Sequence, residues 1–342
     1  MLNEKELTDK KFTNISLLRL ISTLFVFVYH IVISITPLYK QYFPLDLTVQ
    51  SFLFISGFLY ANKCIKSIKE FYLKNIIKIL IPVIIFVISY FSILGVLSSF
   101  NINFSLSFFN LSGKELFSLG HLWFIPAIIL CYLITPIIQY VSNSFIDKEQ
   151  NLNKKLAFFF VFLLAFAVLV NIFLVVTETQ MVILPYISGY FFKKYYTKFI
   201  NKKKTTILFS LILLLISSAL FYFVKNYLSA SELIITGLTA FIEFVQALSF
   251  SVFILITFDY LNKKKLKFLT FSDKYSFSFY LCHHVFLVGT GGLVLTGITN
   301  YLWLNLILVF FASIAYSFVV DFTSAIFING RTQIKQKRIL KN

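Results

Sequence analysis

Long apolar stretches alternate with short polar ones along almost the whole of this chain. Ten apolar runs stand out, at about 15–36, 48–62, 79–98, 120–141, 156–176, 181–196, 206–224, 232–258, 275–293 and 301–320. Most reach the roughly 17–25 residues that a helix needs to cross a hydrocarbon core; the second and sixth are short enough to be tilted, broken or re-entrant. The pattern predicts an all-α integral membrane protein, a bundle of about ten transmembrane helices. It divides the chain into a polar N-terminal segment (1–14), a membrane domain (15–322) and a basic C-terminal tail (323–342). The first apolar run exceeds a signal-peptide core and reads as a retained span. The Ser- and Asn-rich stretch 98–120 is the longest polar interruption, placed to cover an outward-facing cavity.

Composition removes the soluble alternative. Of 342 residues, 58% are hydrophobic, 19% aromatic and only 13% charged, more apolar surface than a water-soluble fold of this size can hide. The net charge of +17 would suit nucleic acid, but its distribution argues against that partner. Of the 31 Lys and Arg residues, 27 fall in the N-terminal segment, the tail and alternate polar stretches, against Lys40, Lys114 and Lys225 in the others. That asymmetry predicts a multi-pass plasma-membrane protein with both termini cytosolic. Membrane lipids, through anionic head groups, are the expected partner of the basic loops. Three cysteines, Cys64, Cys131 and Cys282, lie singly, so the sequence implies neither a disulfide framework nor a metal site.

Ionisable residues inside apolar runs need a reason, because lipid makes them costly. Arg19 and His30 are 11 residues apart in the first run, a spacing that returns to within about 20° of the same helix face and rises about 16 Å. A cation near the cytosolic boundary with an imidazole near mid-membrane suits a cytosolic anionic donor and proton transfer within the membrane. The alternative is that Arg19 snorkels to lipid phosphates while His30 bonds a neighbouring helix. "VQSFLFISGFLY" (49–60) places Ser56 and Gly57 where small residues let helices approach closely. "GHLWFIPAIILCYLITP" (120–136) opens a span with His121 and Trp123 at the outer interface, where Trp is also a common anchor. "SFSFYLCHHVFL" (276–287) carries His283 and His284. Glu243, near the middle of the eighth run, should face a polar cavity or orient an imidazole, or else stay protonated and hydrogen-bonded. Asp321 reads as an interface residue.

In order and spacing, Arg-x10-His in the first run, ISGFL in the second, HLWF opening the fourth and S-x-S-x-Y-L-x-H in the ninth resemble the acyltransferase-3 family of membrane O-acyltransferases. The resemblance spans about residues 14–322 and matches the short form, without a fused extracellular esterase-like domain. It implies transfer of an acyl group, usually acetyl, from cytosolic acyl-CoA as co-substrate to a hydroxyl of a surface polysaccharide or its lipid-linked precursor. It also implies donor binding by Arg19, catalysis by His30 as general base or transient acyl carrier, site support from His283, and acceptor-side binding by His121 with Trp123. Where the family often carries two arginines after the second span, this chain has Lys74 and Lys78; these either attract CoA phosphates as point charges, without the bidentate fork, or are lipid-facing stop-transfer residues. His284, turned about 100° from His283, is expected to lie off the site. The rival readings are an exporter or flippase for a glycan or lipid-linked sugar, in which the same buried groups line a pathway, and a non-catalytic subunit of polysaccharide-synthesis machinery.

Overall fold

The computed structural model describes residues 13–35, 47–99, 121–143, 183–229, 231–264, 266–287 and 299–339, with 154 and 161 besides. The fifth apolar run, 156–176, and the polar stretch 98–120 therefore lie almost wholly outside the described residues, as do the N-terminal segment and the end of the tail. Ten α-helices are described: α1 (Thr13–Ile35), α2 (Leu47–Tyr60), α3 (Ile68–Ser99), α4 (Phe124–Val141), α5 (Ile183–Lys194), α6 (Tyr196–Asn201), α7 (Lys203–Tyr227), α8 (Glu232–Thr257), α9 (Lys267–Leu287) and α10 (Leu302–Ile339). A 3-10 turn, Asp259–Lys263, joins α8 to α9, and no strand occurs among the described residues.

Among the described residues, six segments are long and apolar enough to cross a membrane: Thr13–Val32, Ile68–Ile93, His121–Val141, Lys203–Tyr227, Ile234–Thr257 and Leu302–Ile328. α2 and α5, with 14 and 12 residues, are the short second and sixth runs. Two boundaries move. α3 begins at Ile68, eleven residues before its apolar run, so Lys74 and Lys78 stand exposed on the helix rather than in a loop. α10 continues its backbone helix to Ile339, through most of the tail.

The chain forms two compact units. The first comprises Met1–Val26, Gln41–Ile68 and Pro126–Asp273. Its centre is α2, whose Phe54, Ile55 and Phe58 are almost wholly buried against Leu18 of α1, Phe192 of α5, and Ala247 and Leu255 of α8. α2 and α5 meet backbone to backbone. A Cβ added at Gly57 would lie 1.8 Å from the Tyr186 carbonyl oxygen, and one at Gly189 would lie 2.0 Å from that of Phe54. Each helix thus offers a glycine to the other's main chain, the close approach that small residues permit where no hydrophobic effect drives helices together.

Polar bonds close one end of this unit. Asn14 donates to the Tyr196 hydroxyl (3.0 Å) and to the Leu255 carbonyl (2.8 Å), and Tyr196 donates to Asp259 (2.7 Å). Asn262 donates to the same carboxylate (3.0 Å), while its own carbonyl accepts from the Asn14 backbone N–H (3.1 Å). Buried amides and hydroxyls in an apolar bundle require such partners, and here they tie the start of α1 to α6 and the 3-10 turn.

The second unit comprises Phe27–Lys40, Lys69–Ile125 and Lys274–Asn342. Its apolar cluster packs Phe27 of α1, Phe279 and Leu287 of α9, and Val309 of α10. Ser89 of α3 and Tyr316 of α10 share a 2.5 Å hydrogen bond between their hydroxyls, and Lys274 pairs with Asp321 at 3.5 Å.

Candidate active site

All four histidines of the chain gather in the second unit. His30 comes from α1, His283 and His284 from α9, and His121 from the single 3-10 turn that precedes α4. The His30 ring lies 5.2 Å from His283 and 4.6 Å from His284, centroid to centroid, the latter edge to face at 89°. His121 stacks on His284 at 4.5 Å and 27°, and lies 5.9 Å from His283. His121, His283 and His284 are 4%, 1% and 5% exposed, so three imidazoles are held almost entirely out of solvent.

Aromatic side chains wall the cluster. Phe279 lies parallel to His283 (5.9 Å, 6°), Phe27 tilts towards the same ring at 6.3 Å, and Phe86 meets His121 edge-on at 6.0 Å. Tyr280, one turn before His284 on α9, donates its hydroxyl to the His121 carbonyl at 2.6 Å and fixes the start of α4 against α9.

Two backbone carbonyls set the proton positions on two of the rings. His283 Nδ1 is 3.1 Å from the Phe279 carbonyl, and His121 Nε2 is 3.0 Å from that of Leu281. A carbonyl oxygen only accepts, so each of these nitrogens carries the proton in the neutral ring. The opposite nitrogens, His283 Nε2 and His121 Nδ1, therefore present lone pairs. Both atoms are buried and have no hydrogen-bond partner among the described residues. A buried polar atom left without a bond costs about 1–3 kcal/mol, which sites of chemistry and binding tolerate and cores generally do not. Stacking of His121 on His284 keeps their in-plane lone pairs from converging on one point. Among the described residues no group of three or more His, Cys, Asp and Glu side chains is arranged to hold a metal ion.

Arg19 belongs to the first unit, where it forms an ion pair with Asp273 at the start of α9. The two side chains keep about a fifth of their surface exposed, 21% and 20%. Arg19 and Asp273 each lie six residues into their helix, about 9 Å along the axis. His30 lies towards the other end of α1, six residues beyond the helix midpoint at Leu24. Glu243 lies half-buried on α8 of the first unit, flanked by the buried Ile242 and Phe244. Trp123 is half-buried beside Phe124, 6.4 Å between ring centroids. Lys74 and Lys78 are exposed on α3.

From residue 12 to residue 322 the chain matches the family model of the acyltransferase-3 family, described as an acyltransferase domain. The chain belongs to the acyltransferase-3 family. Comparison with curated proteins and with solved structures finds no match. Together with its six long apolar helices, the match identifies a membrane protein of acyltransferase type.

In this acyltransferase-3 chain the fold unites His30 and His283, as the sequence anticipates, and two residues that the sequence reading did not assign to a site make contacts within their own units. His284 was expected to face away from the site because it lies 100° from His283; instead the cluster embraces both, with His30 and His121 on either side of its ring. Neighbouring helical positions both reach a site when partners approach the helix from two directions, and the repeated His-His was the signal. Asp273 is the second of these residues, paired with Arg19 in the first unit. Its signal was a distance: it precedes His284 by 11 residues, as Arg19 precedes His30. His121, expected to open a span at the outer interface, is buried within the protein.

Proposed function

We propose that the protein moves an acyl group, acetyl in the simplest case, from cytosolic acyl-CoA to a hydroxyl of a cell-surface polysaccharide or its lipid-linked precursor. The observation carrying this reading is the placement of His30 among three buried imidazoles on the same helix as an ion-paired Arg19, 11 residues away. Along that helix the separation is about 16 Å. The pantetheine arm of CoA is long and flexible, so phosphates held by Arg19 leave the thioester free to approach His30. The Arg19–Asp273 contact uses one guanidinium nitrogen and leaves further N–H donors for phosphate oxygens.

His30 then acts as general base. Its imidazole takes the proton of the acceptor hydroxyl, the oxygen attacks the thioester carbonyl, and the carbon–sulfur bond breaks to release CoA thiolate, which the imidazolium reprotonates. His284, edge-on to His30, holds that ring in place. The charge asymmetry of the loops supports a plasma-membrane protein of ten spans with both ends in the cytosol, the side on which acyl-CoA is made.

The test is glycan analysis of a deletion in the native host. Surface polysaccharide at normal amount but without O-acyl esters is the expected outcome. Polymer that accumulates inside and is missing outside would instead assign the protein to export.

A further inference from the structure

Lys63 is an exposed lysine of the first unit, and it is held at three points. Its backbone N–H donates to the Tyr60 carbonyl at 3.1 Å, in the turn that follows α2. Its own carbonyl accepts from the Gln139 side chain of α4 at 2.8 Å. Its ammonium stands over the Tyr60 ring, 4.2 Å from the centroid, where the negative face of the ring attracts it. A surface lysine ordinarily samples many rotamers, and one ordered in advance loses less entropy on binding an anion.

The Tyr60 ring also connects this lysine to Arg19. Tyr60 and Tyr132 of α4 meet edge to face at 5.1 Å and share a hydrogen bond, and Tyr132 lies within electrostatic reach of the Arg19 guanidinium. Both tyrosines are half-buried, so neither is sealed in the core. Arg19 keeps about a fifth of its side chain exposed, and Lys63, beyond the end of α2, is the more exposed cation of the two.

We infer that Lys63 is a second donor-site residue, recognising the 3′-phosphate of CoA, with Tyr60 and Tyr132 as positioning residues that set it beside Arg19. The inference rests on the acyl-transfer reading and deepens it. CoA carries two anionic groups: a pyrophosphate next to the pantetheine arm, and a 3′-phosphate on the ribose beyond. The thioester has to reach His30, further along α1 than Arg19. The pyrophosphate therefore goes to Arg19, and the 3′-phosphate, farthest from the thioester, goes to the more exposed cation. The two side chains suit this division. A planar guanidinium forks onto the oxygens of a pyrophosphate, whereas an ammonium serves one terminal phosphate as a point charge. Lys63 shares a unit with Arg19; Lys74 and Lys78 belong to the other.

Dephospho-CoA lacks that one phosphate alone and isolates the contact. Its affinity and that of CoA would be measured on full-length protein in neutral-lipid nanodiscs, by displacement of radiolabelled acetyl-CoA. Wild type should prefer CoA by about tenfold, the scale of one bond to a charged group. Lys63→Gln should bind dephospho-CoA as wild type does and lose the preference, while Lys66→Gln, at an exposed neighbour, should keep it. Tyr60→Phe retains the ring and should keep the preference; Tyr60→Leu should lose most of it. Three results would each overturn the inference: no preference in wild type, full preference in Lys63→Gln, or equal weakening towards both nucleotides, the behaviour of a lysine that only contacts lipid or shapes its turn. The acyl-transfer reading stands or falls on a separate measurement, acetyl-CoA consumption by native membranes carrying the protein. Preference through Lys63 without consumption leaves the phosphate site standing and removes the transferase. Consumption with no preference does the opposite, and protein that binds no acetyl-CoA overturns both.

Discussion

Arg19 and Asp273 pair across 254 residues of sequence, and the same separation divides His30 from His284, whose rings meet edge to face at 4.6 Å. Both members of each helix are 11 residues apart, so each helix returns to about the same face at its second contact. α1 and α9 thus share one spacing, an ion-paired residue followed 11 positions later by a histidine, with each pair made inside its own unit.

This ion pair makes Asp273 testable as the residue that aims Arg19. Asp273→Ala should raise the KM for acyl-CoA by about 10–100-fold, the equivalent of losing one bond to a charged group. Arg19→Lys should do the same, since an ammonium cannot reproduce the planar fork. The double variant should be no worse than Arg19→Lys alone. A donor KM unchanged in both single variants would return Arg19 to a structural role.

His30→Gln should insert and accumulate normally while losing transfer by about 10²–10⁴-fold, the usual worth of a positioned base. His284→Gln should retain the donor KM yet lose about 3–10-fold in kcat, the scale of a specific ring contact. Kinetics on reconstituted protein separate the two parameters. Wild-type ester levels in His30→Gln would remove the catalytic assignment, and full kcat in His284→Gln would restore the view that this residue lies off the site.

Lys74 and Lys78 should contribute little. Exposed point charges are screened within about 8–10 Å at physiological salt, so replacing both with Ala should change the donor KM by less than about threefold. A tenfold change in a filter assay of acyl-CoA binding would place them in the donor site after all.

The reciprocal glycines predict the most disruptive changes outside the site. Gly57→Ala and Gly189→Ala drive a methyl group into a backbone carbonyl that cannot rotate away, so α2 and α5 must part at a cost of about 1–3 kcal/mol or more. Detergent-solubilised variants should melt well below wild type. Gly237→Ala meets nothing within 4 Å and serves as the matched control, with unchanged melting.

Much of this was legible in the sequence because lipid enforces simple rules. Apolar run lengths located the long helices, and the Arg19–His30 spacing located one face of α1. Gly57 announced a close helix contact, although its partner Gly189 did not, since no one-dimensional pattern tells which two glycines will meet. Glu243 drew attention through the cost of a carboxyl in an apolar run, whereas Asp273, in a polar stretch where charge is cheap, drew none. His121 read as interfacial because it borders Trp123; burial came from Tyr280 and His284, which only tertiary packing brings there.

The three thiols differ in one further respect. Cys131 and Cys282 are buried, and Cys64, in the turn between α2 and α3, is exposed. A membrane-impermeant maleimide should therefore tag the wild-type chain once, at a point that the loop charges assign to the cytosol. Intact cells would exclude the reagent and inside-out vesicles admit it, so the unaltered protein carries its own marker of which way round it sits.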